Sequence, residues 1–298
     1  MGHQQQDVYF VPSKSYWPIV AAISMFVTVY GAAHWLNSQP GDSSAFGKPL
    51  FWIGFVMILG MFFGWFRSVI RESMAGSYNG QVDRSFRMGM IWFIMSEVLF
   101  FAVFFGALFY ARELSVPWLS GEGVKIFNKL LIWNNYDAAW PTNGPGVIGG
   151  KADGTFQTIP AFGLPAVNTA ILLTSGVTIT IAHHALRAGN RAVLNIFLAA
   201  TWILGFTFVY LQATEYHHAY TELGLRLSTG IYGATFFLLT GFHGLHVTIG
   251  AIMLTVIWFR CLKGHFTPQR HFAFEAVAWY WHFVDVVWLI LFVFVYWI

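Results

Sequence analysis

The stretch His271-Phe-Ala-Phe-Glu-Ala-Val-Ala-Trp-Tyr-Trp-His-Phe-Val-Asp-Val-Val-Trp288 opens an apolar run that continues to Ile298 without a lysine or arginine. A hydrocarbon core of ~30 Å is crossed by ~20 apolar residues in a helix, so 272–298 is long enough to span a bilayer. Its polar residues fall on one side. At 100° per residue, Trp279 and His282 lie within about 40° of Glu275, and Asp285 lies about 60° from His282. In lipid such a stripe must face protein or water, because an imidazole or carboxylate turned to acyl chains is left unsatisfied. Glu275, Trp279, His282 and Asp285 therefore form either a hydrogen-bonded seam with another helix or a site of direct proton or ligand handling.

Working outward, six further apolar windows occupy 17–36, 50–66, 88–111, 164–186, 193–216 and 230–259. Seven windows predict an all-α, polytopic membrane protein. Only 10% of the 298 residues are charged, against about 25% in an ordinary soluble domain, which excludes a soluble globular enzyme. The net charge of +3 comes from basic residues in short loops between windows, a pattern of membrane topology and not of a nucleic-acid face. Ten of the sixteen lysines and arginines fall on the side of Lys14, Arg67, Arg187 and Arg260, so the positive-inside rule predicts a cytoplasmic N-terminus and an outward C-terminus. The polar segment from Met1 to Lys14 has no apolar core and does not read as a cleaved signal peptide. Cys261, the single cysteine, excludes an internal disulfide and a thiolate cluster.

The chain reads as one membrane domain, 1–298, with a pair of helices at 17–66, five more at 88–298 and a long outer loop at 113–163. Within that loop, Val124, Phe127 and Leu131, with Ile126, Leu130 and Trp133, fall at helical spacing opposite Lys125, Asn128 and Lys129. The segment reads as a short amphipathic helix in the outer interface or as a loop packed on the bundle. No inverted repeat of the kind that marks many secondary transporters is visible.

Glu97 is the only carboxylate of window 88–111 and sits near its midpoint. A charge there costs roughly 2.5 to 3.5 kcal/mol on insertion scales, which predicts a protonated carboxyl, an interhelical hydrogen bond or a polar cavity. Arg67, Arg71 and Glu72 close the second window, and Arg260 closes the sixth; such cationic ends either hold a phospholipid headgroup or simply flank the membrane. Eleven histidines raise the question of metal or haem. His183-His184 and His217-His218 are adjacent pairs pointing about 100° apart near helix ends, and His243 and His246 share a face without a mid-helix partner histidine in the first three windows. The spacing predicts no metal ligation.

Several strings are more specific than composition: Trp92-Phe-Ile-Met-Ser-Glu-Val98, Ala182-His-His-Ala-Leu186, Leu211-Gln-Ala-Thr-Glu-Tyr216, Gly230-Ile-Tyr-Gly-Ala-Thr-Phe-Phe237, Gly241-Phe-His-Gly-Leu-His-Val247 and the 271–288 stretch. Together they resemble subunit III of the aa3-type haem-copper cytochrome c oxidases. The resemblance implies a chain with no haem or copper of its own, the haem a, haem a3 and copper residing in partner subunits. It implies two bundles, helices 1–2 and helices 3–7, splayed as a V around bound phospholipid, with Arg67, Arg71, Glu72 and Arg260 as headgroup candidates and Glu97 as the family's buried carboxyl. It further implies packing on subunit I, association with subunit II and a small subunit IV, cytochrome c as electron donor, support of proton uptake and oxygen entry, and a bacterial inner membrane. Two features depart from the mitochondrial pattern. The 113–163 loop is long, and Ser73-Met-Ala-Gly-Ser-Tyr-Asn-Gly-Gln81 lacks a histidine pair. Subunit III of a quinol oxidase is the near alternative, although it usually lacks the first two helices. A stand-alone proton-coupled transporter is the alternative of a different class.

Overall fold

The computed structural model describes residues 14–38 and 46–298, so the reading of the polar N-terminal segment falls outside the described residues. No strand occurs among the described residues, and seven helices are long and apolar enough to cross a membrane. The chain divides into two compact units, Met1–Phe86 and Arg87–Ile298.

The first unit contains α1, Trp17–Asn37, and α2, Gly47–Met74. Both are apolar nearly all round, and in lipid two such helices associate through close packing of small residues, not through hydrophobic burial. Gly54 provides that approach: a Cβ there would lie 2.5 Å from the Thr28 nitrogen, and one at Gly31 would run into the Phe51 backbone. Past its apolar window α2 continues as a helix through Arg71 and Glu72. There the Tyr78 hydroxyl donates to Glu72 Oε2 at 2.7 Å, and burial together with that carboxylate pushes the phenol above its ordinary range. Asn79 accepts from the Val82 nitrogen at 3.0 Å, an N-cap that starts α3 at Gly80.

Helix α3, Gly80–Tyr110, runs from the first unit into the second and continues as helical turns to Leu119. The second unit adds α4 (Leu164–Arg187), α5 (Arg191–His218), α6 (Gly230–Leu262) and α7 (Phe272–Leu291), with α5 extended to Leu223 and α7 to Trp297. Pro165 occupies the first turn of α4, where its missing N–H costs no helical hydrogen bond. The tight return from α4 to α5 uses Gly189 at φ +76°, followed by Asn190 accepting from the Val193 nitrogen.

The core of this unit is built around α7, 56% of whose apolar window is buried compared with 28% for α5. Trp281, fully buried, explains how: a Cβ on Gly205 of α5 would lie 2.6 Å from its ring, and one on Gly250 of α6 would lie 2.8 Å from it. Two glycines on two helices thus form the slot that receives one indole. Its Nε1 donates to Ser175 Oγ of α4 at 2.8 Å, so a single side chain sets the spacing of four helices.

The 113–163 segment begins with the end of α3 and then closes on itself. Lys129 Nζ meets Asp137 at 2.7 Å and holds that exposed carboxyl below its usual range, and two hydrogen bonds from Thr155 do the same for Asp153. The segment is anchored by the Gln157 nitrogen on the Leu223 carbonyl at 2.9 Å and by Trp140 and Phe156 against Tyr232. Residues 123–132 are helical in short 3-10 and wide turns, with Val124 and Leu131 strongly exposed rather than packed on the bundle.

Candidate functional site

Glu97 and His246 meet midway along α3 and α6. Glu97 Oε2 and His246 Nε2 are 2.8 Å apart, with one-fifth or less of either side chain exposed. His246 Nδ1 lies 2.6 Å from the Phe242 carbonyl, which can only accept, so Nδ1 carries a proton. One further proton is then shared between Nε2 and the carboxyl, either as neutral acid and neutral imidazole or as carboxylate and imidazolium. The pair carries no net charge in either form, which lowers the penalty expected of a lone mid-membrane carboxylate, most fully in the neutral form. Phe100, Phe101 and Tyr280 surround the imidazole, and the Tyr280 hydroxyl donates to the His246 carbonyl at 3.2 Å.

The stripe of α7 faces α4 along an antiparallel seam. His282 Nε2 lies 3.3 Å from Thr180 Oγ1, and its Nδ1 lies 3.7 Å from Asp285 Oδ2. Asp285 is buried beside Gly176, where a Cβ would sit 2.5 Å from the carboxylate, and Trp288 Nε1 donates to Thr169 at 2.9 Å. Trp279 shares this side of α7 and is half-buried. His282 itself is 46% exposed although it lies near the middle of the 272–297 span.

At one end of the bundle, Glu275 gathers one guanidinium and two imidazoles. Arg87 Nη1 of α3 contacts Glu275 Oε2, with its guanidinium 5.6 Å from the Phe272 ring centre. On the other carboxylate oxygen, His271 Nε2 lies at 3.1 Å and His183 Nε2 at 3.6 Å. His243 takes a different course from its neighbour His246: its Nε2 meets the Val284 carbonyl at 3.2 Å between the rings of Phe208 and Trp288.

The four headgroup candidates divide between the two units. In the first, Arg67 and Arg71 are exposed at the end of α2, and Glu72 is half-buried under Tyr78. In the second, Arg260 is buried near the end of α6 with its guanidinium 4.4 Å from the Phe266 ring centre and its Nε without a hydrogen-bond partner. Sequence reasoning missed His246 as partner of Glu97, although both sit at the midpoints of their windows. It also missed Arg87, His183 and His271, whose convergence on Glu275 has no signature in spacing.

Comparison with known proteins adds to this geometry. The sequence matches the family described as Cytochrome c oxidase subunit III over residues 7–128 and 124–298, the two matches meeting inside the 113–163 segment. It is similar to Cytochrome c oxidase subunit 3 of Oncorhynchus masou, at 39% identity over 298 residues, covering 100% of this chain and 99% of that one. The protein of the same description from Oryctolagus cuniculus is 40% identical over 295 residues, covering 98% of each chain. That from Lemur catta is 39% identical over 294 residues, covering 98% of this chain and 93% of its own.

Proposed function

Since this chain belongs to the cytochrome c oxidase subunit III family, we propose that it is the redox-silent third subunit of an aa3-type oxidase. In this reading it stabilises subunit I during turnover, holds phospholipid and supports proton uptake, while haem a, haem a3 and copper reside in partner subunits. The observation that carries a partner in the membrane is His282, an imidazole 46% exposed near the middle of a span. Its ring nitrogens face Thr180 and Asp285 within the chain, but the exposed edge of a polar ring is costly in acyl chains, and a polar surface on a neighbouring subunit would cover it. Subunit I is the proposed direct neighbour, with subunit II and a small subunit IV in the same complex and cytochrome c as electron donor. The Glu97–His246 pair fits a supporting role, because it can exchange the position of one proton without changing net charge.

Removing the chain is the test. An oxidase assembled without it is expected to begin reducing oxygen at a measurable rate and then to lose activity over successive turnovers, followed with an oxygen electrode. Total inactivity of an assembled remainder from the first turnover, or undiminished activity to substrate exhaustion, would sink the proposal.

Phospholipid headgroups are proposed at Arg67, Arg71 and Glu72 in the first unit and at Arg260 in the second, where a phosphate would satisfy an exposed or unpartnered guanidinium. Arg260→Ala is expected to lower the phosphorus content of the purified complex, whereas Arg260→Lys, which keeps the charge, is expected to retain more of it. An unchanged count in Arg260→Ala would remove this residue from the assignment.

We assign the chain to a bacterial inner membrane, N-terminus cytoplasmic and C-terminus periplasmic, from the basic alternate loops and the long 113–163 segment. The similarity to fish, rabbit and lemur chains favours a mitochondrial inner membrane as the second reading.

A further inference from the structure

We propose that His183, His271 and Glu275 form a binding site for a divalent transition-metal ion of the zinc class. The residues come from the last turns of α4, the position just before α7, and the first turn of α7. One donor atom from each lies within 4.8 Å of the other two. The His183 and His271 Nε2 atoms are 3.6 Å and 3.1 Å from Glu275 Oε1. Zinc bonds of about 2.0 to 2.1 Å at tetrahedral angles place neighbouring ligands about 3.3 Å apart, so the two observed edges bracket the spacing the ion demands.

The lone pairs are also available. Both Nε2 atoms are buried and make no hydrogen bond. His271, only 8% exposed in its side chain, has Nδ1 3.2 Å from the Thr267 carbonyl, which places a proton on Nδ1 and leaves the Nε2 lone pair free in the neutral ring. A metal-bound histidine characteristically donates its second nitrogen in this way. Arg87 occupies Glu275 Oε2 and so turns Oε1 towards the imidazoles. The His183 and His271 rings meet edge to face at 5.4 Å, with Phe274 5.5 Å from His183, which limits their rotation. Two neutral imidazoles and one carboxylate are a zinc donor set with a fourth position left for water.

Protons compete for the same lone pairs, so the site loses its ion as the imidazoles become protonated. The cations facing it, Arg87 and Arg187, act in the same direction by repelling a divalent charge, and His184 is the remaining titratable neighbour. A bound ion would join the end of α4 to the start of α7. The inference goes beyond the oxidase reading and does not depend on it, because zinc retention and haem content are read separately.

Zinc itself is the probe. Complex containing the full chain, stripped with a chelator and dialysed against zinc, is expected to retain one more zinc ion per chain than its His183→Ala variant, with binding lost on acidification. His183 Nε2 makes no hydrogen bond, so this substitution removes none there. Anomalous diffraction at the zinc edge from wild-type crystals gives an answer even where the variant fails to assemble. Density enclosed by the three side chains supports the site; no density there, or equal zinc in wild type and assembled variant, would overturn it.

Discussion

Trp281→Ala is expected to produce the largest loss of stability of any single substitution in the second unit. In soluble cores, truncating a buried tryptophan costs about 3–5 kcal/mol. In a bilayer the transfer part of that cost shrinks, because lipid is as apolar as the core, but the lost packing and the lost interhelical hydrogen bond remain, which points to about 3 kcal/mol. The indole fills the slot between Gly205 and Gly250 and donates to Ser175, so α4, α5, α6 and α7 all lose a shared contact. Gly250→Ala is expected to cost about 1–3 kcal/mol by overfilling the same slot. Combined with Trp281→Phe it should cost less than the sum of the two changes, because the smaller ring makes room for the methyl group. Titrating unfolding of the detergent-solubilised protein with a denaturing detergent measures all of these. A Trp281→Ala protein as stable as wild type would contradict the slot.

The second large effect is expected at His246. His246→Leu leaves Glu97 facing leucine in the middle of the membrane, and stranding one partner of a buried ion pair costs about 3–5 kcal/mol. Stranding one partner of a neutral hydrogen bond costs about 1–3 kcal/mol. Because the carboxyl can take up a proton when its partner is lost, the smaller range is the expected one. Glu97→Gln is expected to be mild, under about 1 kcal/mol, because the amide can donate to Nε2 in place of the acid proton. The coupling from a double-mutant cycle separates the two protonation patterns: interhelical hydrogen bonds in membranes average about 0.6 kcal/mol and reach about 1.7 kcal/mol at most. A coupling well above that range, with Glu97→Gln as damaging as His246→Leu, would place a true ion pair at the bilayer midplane.

Membrane windows were legible because apolar length is a one-dimensional property. Their ends were not: the second window stops at Phe66, while α2 runs on to Met74. The third opens at Met88, while α3 starts at Gly80. Charged side chains such as Arg67 and Arg84 end a hydropathy window without ending a helix, since their long stems reach the headgroups while the backbone stays helical. The stripe Glu275, Trp279, His282 and Asp285 follows from helical periodicity, but which helix meets it does not. Register across α4 and α7 depends on where Trp281 seats between two glycines on other helices, and glycine is too common here, at 29 residues, to mark such a place. Gly60 and Gly64 have packing spacing, and they fare differently: a Cβ on Gly60 would meet nothing within 4 Å, one on Gly64 would run into the Trp17 ring of α1, and the tightest backbone approaches fall at Gly31 and Gly54. Histidine spacing along single helices predicts no ligand set, whereas His183 and His271 converge on Glu275 from separate elements. Long-range convergence of this kind is invisible to a pattern read along one helix.

The most direct test of the account is a reduced-minus-oxidised optical spectrum of the complex that co-purifies with this chain, tagged at its N-terminus and extracted in mild detergent. A supporting subunit of an aa3-type oxidase predicts stoichiometric a-type haem with copper, and loss of both when the chain is released from its partners. A folded, haem-free preparation from respiring membranes, or haem that stays with the isolated chain, would contradict it.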